Sequence, residues 1–136
     1  MTAQGGARRK RGNEWESRVL AERPYVVALE EHFQDPELGA LYGPLDANAA
    51  AHARERLESF GGTRLKEMDA AGIDFHVISR SAPSARKLDV ESSARMAPLV
   101  NDRLHAAIGA HPTRFGGFAT IATPDPKAAA RSWSVR

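Results

Sequence analysis

The chain has 136 residues, 42% of them hydrophobic and 26% charged, which is the composition of about one globular domain. No apolar run approaches the roughly 18 residues that span a bilayer, and the N-terminus lacks the apolar core of a secretory signal, so no membrane partner is expected. With no cysteine, disulfides, thiolate metal sites and cysteine nucleophiles are excluded, a cytoplasmic setting is expected, and any metal must be held by His, Asp or Glu.

The formal net charge of +2 is unevenly placed. Residues 1 to 24 carry six basic side chains against three acids, a net of +3, which leaves −1 for everything after Pro24. The run "ARRKRG" could hold nucleic acid or anionic lipid by charge alone. A Gly/Arg-rich start is more often a solvated, disordered leader, and the acidic remainder offers no basic groove. Residues 1 to 24 are therefore read as a leader, with no nucleic-acid partner expected.

After Pro24, short apolar stretches alternate with longer amphipathic ones. Residues 25 to 29 are the first predicted strand. "DANAAAHARERLESF", 46 to 60, predicts a helix capped by Asp46. "GGTRLKEMDAAG" predicts a second, with Leu65, Met68 and Ala71 on one face and Gly72 at its C-cap. "IDFHVIS", 73 to 79, is β-branched and aromatic enough for a strand. Residues 89 to 110 predict a further helix with Met96, Leu99, Val100, Leu104 and Ile108 at helical spacing, broken near residue 97 by Pro98. "RFGGFATI", 114 to 121, is the third strand, weakened by Gly116 and Gly117, and Pro126 opens a last helix at its first turn. Such alternation is the signature of an α/β fold with a parallel sheet.

In a parallel sheet, ligands bind at the carboxyl ends of the strands. The first strand runs into "EEH". Alternation puts Glu30 and His32 on one side, about 6.6 Å apart along the chain at roughly 3.3 Å per residue, with Glu31 on the other. A carboxylate and an imidazole leaning together from there could hold one cation through bonds of about 2.0 to 2.2 Å, whose charge would make both groups tolerable under burial. The same pair would also arise as a carboxylate and an imidazole hydrogen-bonded to each other at a strand end, and two donors do not close a metal site. Of the other histidines, His76 in mid-strand reads as packed and hydrogen-bonded, His52 and His105 as solvated helix positions, and His111 as part of a structural turn before Pro112. Arg80 and Arg86 follow the second strand, where they could reach a carboxylate or serve as ordinary surface charge.

Three segments, "VALEEHF", "TRLKEMDAAGIDFHVISRSAP" and "HPTRFGGFATIATPDPKAAA", resemble in order and separation the opening of the amidohydrolase-superfamily decarboxylases, which include γ-resorcylate and aminocarboxymuconate-semialdehyde decarboxylases. The resemblance covers residues 25 to about 130. It implies a (β/α)8 barrel in which Glu30 and His32 bind a divalent metal, zinc or manganese. It also implies that the loops after the first two strands border the substrate, here through Phe33, Ser81, Ala82 and Pro83. The implied reaction is non-oxidative loss of carbon dioxide from an aromatic or unsaturated carboxylic acid, with the metal drawing charge onto the substrate oxygens and a nearby acid protonating carbon. Ester, amide or lactone hydrolysis by metal-bound water is the alternative within the superfamily. The full-length family is expected to form homo-oligomers.

A barrel of this kind needs about 250 residues, and 112 follow Pro24. Residues 25 to 136 are therefore expected to be the N-terminal portion of such a barrel, three of eight units, and a catalytically inactive fragment is the competing reading. Residues 131 to 136, "RSWSVR", stand where the family continues an amphipathic helix. A one-base shift of reading frame near codon 130 would restore one, so a frameshifted or truncated gene is expected. Helices would cover one sheet face and leave the other open, so the chain is expected to be poorly soluble or to need partners.

Overall fold

The structure, a computed structural model, describes residues 23 to 42 and 51 to 133. Strands β1 (Val27–Phe33), β2 (Phe75–Arg80) and β3 (Phe115–Gly117) form one parallel sheet in that order. Helices α1 (Pro36–Ala40), α2 (Ala51–Glu58) and α3 (Gly62–Ala71) connect β1 to β2. A 3₁₀ turn (Ser84–Lys87) and α4 (Val90–Ala110) connect β2 to β3, and α5 (Pro126–Trp133) follows. Parallel neighbours need crossovers of this length, because a tight turn can only reverse the chain. The α/β class is as expected. Residues 1 to 22 and the proposed cap Asp46 lie outside the described residues, as does the side chain of His52. Arg23 does not: its guanidinium forks onto Asp74 at the start of β2, one arm at 2.8 Å, and the Asp74 carboxylate also accepts from Val26 N at 2.8 Å.

The helix ends are set by local chemistry. Asp89 caps α4, its side chain accepting from Ser92 N at 2.8 Å, and Asp125 Oδ1 accepts from Lys127 and Ala128 N at 3.0 Å beside Pro126. Gly72 ends α3 at φ +69, a left-handed conformation that costs glycine nothing and other residues roughly 1 to 2 kcal/mol. Pro98 does not break α4, contrary to expectation. It withholds one N–H from the helix ladder, but Met96, Ala97, Val100 and Leu104 on either side are all buried, and their packing keeps the helix in one piece. Pro98 itself sits on the exposed side.

The core lies between the sheet and these helices: Phe33, Leu38, Met68, Ile78, Met96, Val100, Leu104 and Phe115 form one buried cluster, each contributing about 1.5 to 3 kcal/mol for the larger side chains. A smaller alanine cluster, Ala85, Ala97 and Ala122, joins α4 to the segment after β3. The opposite sheet face carries no helix among the described residues. Exposed apolar side chains gather there and at the strand ends, with Leu29 at 65% and Phe118 at 63% exposure. β3 is shorter than the predicted eight residues. A Cβ on Gly117 would stand 2.8 Å from Leu104 Cδ2 and 3.1 Å from the Ile78 carbonyl oxygen, so glycine is what lets β3 approach both β2 and α4.

Candidate metal centre at the end of β1

The pairing register sorts the side chains by face. Glu31, His32 and Phe33 pair with Ile78, Ser79 and Arg80. Ile78 is fully buried against the helices, so Glu31 and Phe33 share the helix side, while His32 shares the open side with Ser79. β1 also runs four residues beyond the predicted end, because β2 continues to Arg80 and supplies ladder partners through Phe33. Between Ala28 and Glu31 the register slips, and Glu30 adopts φ +60. This is a bulge of one extra residue, a feature recurrent next to functional sites. Strict alternation therefore fails between Leu29 and Glu30, and holds from Glu30 to Phe33. The count leaves Leu29 and Glu30 together opposite Val77, on the side of His32, and both Glu30 and His32 are exposed.

His32 is held from two directions. Its ring Nδ1 lies 3.2 Å from Ser79 Oγ, and its backbone carbonyl accepts a 2.7 Å hydrogen bond from Arg64 Nη2. Arg64 is 6% exposed and also donates from Nε to Ser59 O at 2.9 Å. Burial pulls its pKa below the ordinary arginine value, against the attraction of Glu31 and Glu67. Neither Arg64 nor Ser79 was singled out from sequence as a support for His32. Arg64 stands one turn before the core residue Met68, which marks an inward-facing cation but not its partner, and Ser79 is level with His32 through a register that the sequence does not give.

Glu31 faces away, with its carboxylate 3.9 Å from His76 Nδ1. His76 is packed as expected, but not hydrogen-bonded: it is 6% exposed, and neither ring nitrogen has a hydrogen-bond partner among the described residues. Burial pushes its pKa below the ordinary histidine value, opposed by Glu31 and reinforced by Arg64 and Arg114.

Phe33, expected at the pocket wall, is in the core. It is 1% exposed and packs on Phe60 with ring centroids 5.0 Å apart, because the register turns it to the helix side. Ser81 and Pro83 are half-buried and Ala82 is exposed, on the loop that follows β2. An open cleft of about 210 Å³ lies at the carboxyl ends of β2 and β3, and its lining includes Ser79, Arg80, Ser84, Arg86 and Phe118. Both arginines suggested by the sequence border it, whereas residues 81 to 83 are not among its lining. His105 is exposed, as expected.

Manganese and zinc both accept carboxylate oxygen and imidazole nitrogen, and Glu30 and His32 offer one of each. Among the described residues no group of three or more His, Asp or Glu is placed to hold a metal. By donor type the two residues suit such an ion, and two donors fall short of a closed site. No helix among them is long and apolar enough to cross a membrane.

No protein-family model matches the chain. It is 37% identical over 105 residues to the gamma-resorcylate decarboxylase of Rhizobium radiobacter, a match covering 76% of this chain and 32% of that one. It superposes with TM-score 0.70 and 30% identity on the dihydroxybenzoic acid decarboxylase of a Polaromonas species with bound manganese and the inhibitor 2-nitroresorcinol, over 82% of this chain and 34% of the other. The relatives of this chain are amidohydrolase-superfamily decarboxylases. A further decarboxylase, acting on 5-carboxyvanillate in Novosphingobium aromaticivorans and complexed with manganese and 4-hydroxy-3-methoxy-5-nitrobenzoic acid, matches with TM-score 0.72 and 28% identity over 79% of this chain and 37% of its own. The chain spans about a third of the length of the decarboxylases it matches.

Proposed function

We propose that residues 25 to 136 are the first three units of a (β/α)8 barrel belonging to a metal-dependent decarboxylase, one that removes carbon dioxide from an aromatic carboxylic acid of the hydroxybenzoate type. Glu30 and His32 are assigned as two ligands of its manganese or zinc ion, and residues 1 to 24 as a leader. The observation that supports this reading is the placement of an exposed carboxylate and an exposed imidazole at the carboxyl end of β1, in a chain whose relatives are aromatic-acid decarboxylases. When bound, the cation supplies Lewis acidity that polarises the oxygens of the acid. Glu30 brings a negative charge to that point through the bulge, and His32 brings a nitrogen donor whose backbone is anchored by Arg64. The loop of Ser81, Ala82 and Pro83 borders the substrate in this reading, and Arg86 in the cleft faces its anionic end.

The test is metal content. The purified chain, dialysed against manganese or zinc, retains metal, and Glu30→Ala or His32→Ala loses it; equal retention by both variants would sink the assignment. A second reading, that the chain binds little and catalyses nothing unaided, is favoured by the lack of any group of three or more ligating side chains among the described residues, where at least three are normal. One equivalent of retained metal, with carbon dioxide released from 2,6-dihydroxybenzoate, would overturn it.

A further inference from the structure

The two nitrogens of His32 are not equivalent. Nδ1 faces Ser79 Oγ across the β1–β2 ladder, where the two residues are register partners, and Ser79 is the one hydrogen-bond partner of the ring among the described residues. The backbone from which the ring projects is fixed independently by Arg64, itself buried and tied to Ser59. A histidine that ligates through one nitrogen is ordinarily oriented by a partner at the other, which sets its tautomer and the direction of its lone pair. Here the partner precedes any ligand, because it belongs to the sheet.

We propose that Ser79 is a positioning residue: it engages Nδ1 of His32 and so selects Nε2 as the nitrogen that meets a divalent cation. In the ligating tautomer Nδ1–H donates to Ser79 Oγ, and the lone pair on Nε2 is free. Ser79 also lines the cleft at the ends of β2 and β3, so a molecule seated there rests against the residue that aims His32. The proposal rests on the assignment of Glu30 and His32 as ligands. A purely structural serine joining two strands would change stability without deciding which nitrogen ligates.

The experiment uses the whole chain, labelled with 15N-histidine and titrated with zinc as a diamagnetic probe. The zinc-induced shift is expected at His32 Nε2, with Nδ1 keeping its proton. Ser79→Ala is expected to weaken zinc binding by about 10- to 100-fold while the dispersion of the amide spectrum stays unchanged, and Ser79→Thr, which keeps a hydroxyl, to restore it. Zinc on Nδ1 of the unaltered chain would overturn the proposal whatever Ser79→Ala does, and so would undiminished binding by a folded Ser79→Ala. Binding that depends on Glu30 but reaches Nδ1 defeats this inference alone, whereas zinc that shifts neither nitrogen defeats the ligand assignment with it.

Discussion

Phe33 is where resemblance and structure disagree most directly, and its truncation separates them. As a pocket wall, Phe33→Ala would leave stability almost untouched and weaken binding of an aromatic acid. As a core residue with 1% exposure and a ring 5.0 Å from that of Phe60, it loses transfer free energy of about 1.5 to 3 kcal/mol and an aromatic pair worth about 0.5 to 1.5 kcal/mol. A cavity follows as well, so the total falls in the range of about 3 to 5 kcal/mol known for such truncations. Domains of this size are stable by only about 5 to 15 kcal/mol, and an open sheet face places this one toward the lower end. In urea, followed by far-ultraviolet circular dichroism, a slope of about 1.5 kcal/mol per molar converts about 4 kcal/mol into a midpoint lower by about 2.7 M. Phe33→Leu, at about 1 kcal/mol, lowers it by roughly 0.7 M and keeps the comparison usable if the alanine variant is unfolded at the outset. A midpoint for Phe33→Ala within about 0.3 M of the unaltered chain would refute the core placement.

Three further outcomes can be checked. Gly117→Ala puts a methyl group against Leu104, Ile108 and the Ile78 carbonyl oxygen. The two side chains can shift, but that oxygen is held in the sheet by Phe118 N at 2.9 Å. The cost of about 1 to 3 kcal/mol appears as a thermal midpoint lower by at least about 4 °C, and an unchanged midpoint would show that β3 has room to spare. His76 has its pKa lowered chiefly by burial, so the unfolded chain binds more protons and stability falls as pH drops below about 6.5 toward the folded value. Replacing His76 with Gln should flatten that limb, and a slope that persists in the variant would assign it to another group. Asp74 has its pKa lowered chiefly by the Arg23 hydrogen bond and then by Val26 N. Its contribution is therefore present above about pH 4 and is lost as pH falls through the depressed folded value. Asp74→Asn removes that part of the acid limb, and identical acid unfolding of the two chains would rule it out.

The order of elements was legible because each depends on near neighbours in sequence: Gly72 and Pro126 mark a helix end and a helix start by backbone preference alone, and the β-branched run before Ser79 can pair on both sides. What was not legible depends on residues far apart. At Pro98 local propensity argues for a break, yet the burial of Met96 and Val100 outweighs one missing hydrogen bond. The face of Phe33, shared with Glu31 and opposite His32, follows from alternation, but that this face is the one the helices cover depends on the register with Ile78 and Arg80, as the extra residue at Leu29 and Glu30 depends on the partner strand. Glu30 and His32 could be singled out as a pair from the text "EEH", but their support could not, since Ser79 and Arg64 lie 47 and 32 positions away from His32.

The bulge has a bearing on self-assembly. β1 is an outer strand of this sheet, with its far side unoccupied by any described strand, and such margins ordinarily serve as templates on which identical chains stack into fibres. At Glu30 the spacing of N–H and C=O groups along that margin is interrupted, and a carboxylate sits at the interruption. A newcomer could match the rungs before it or after it, but not both in one continuous run.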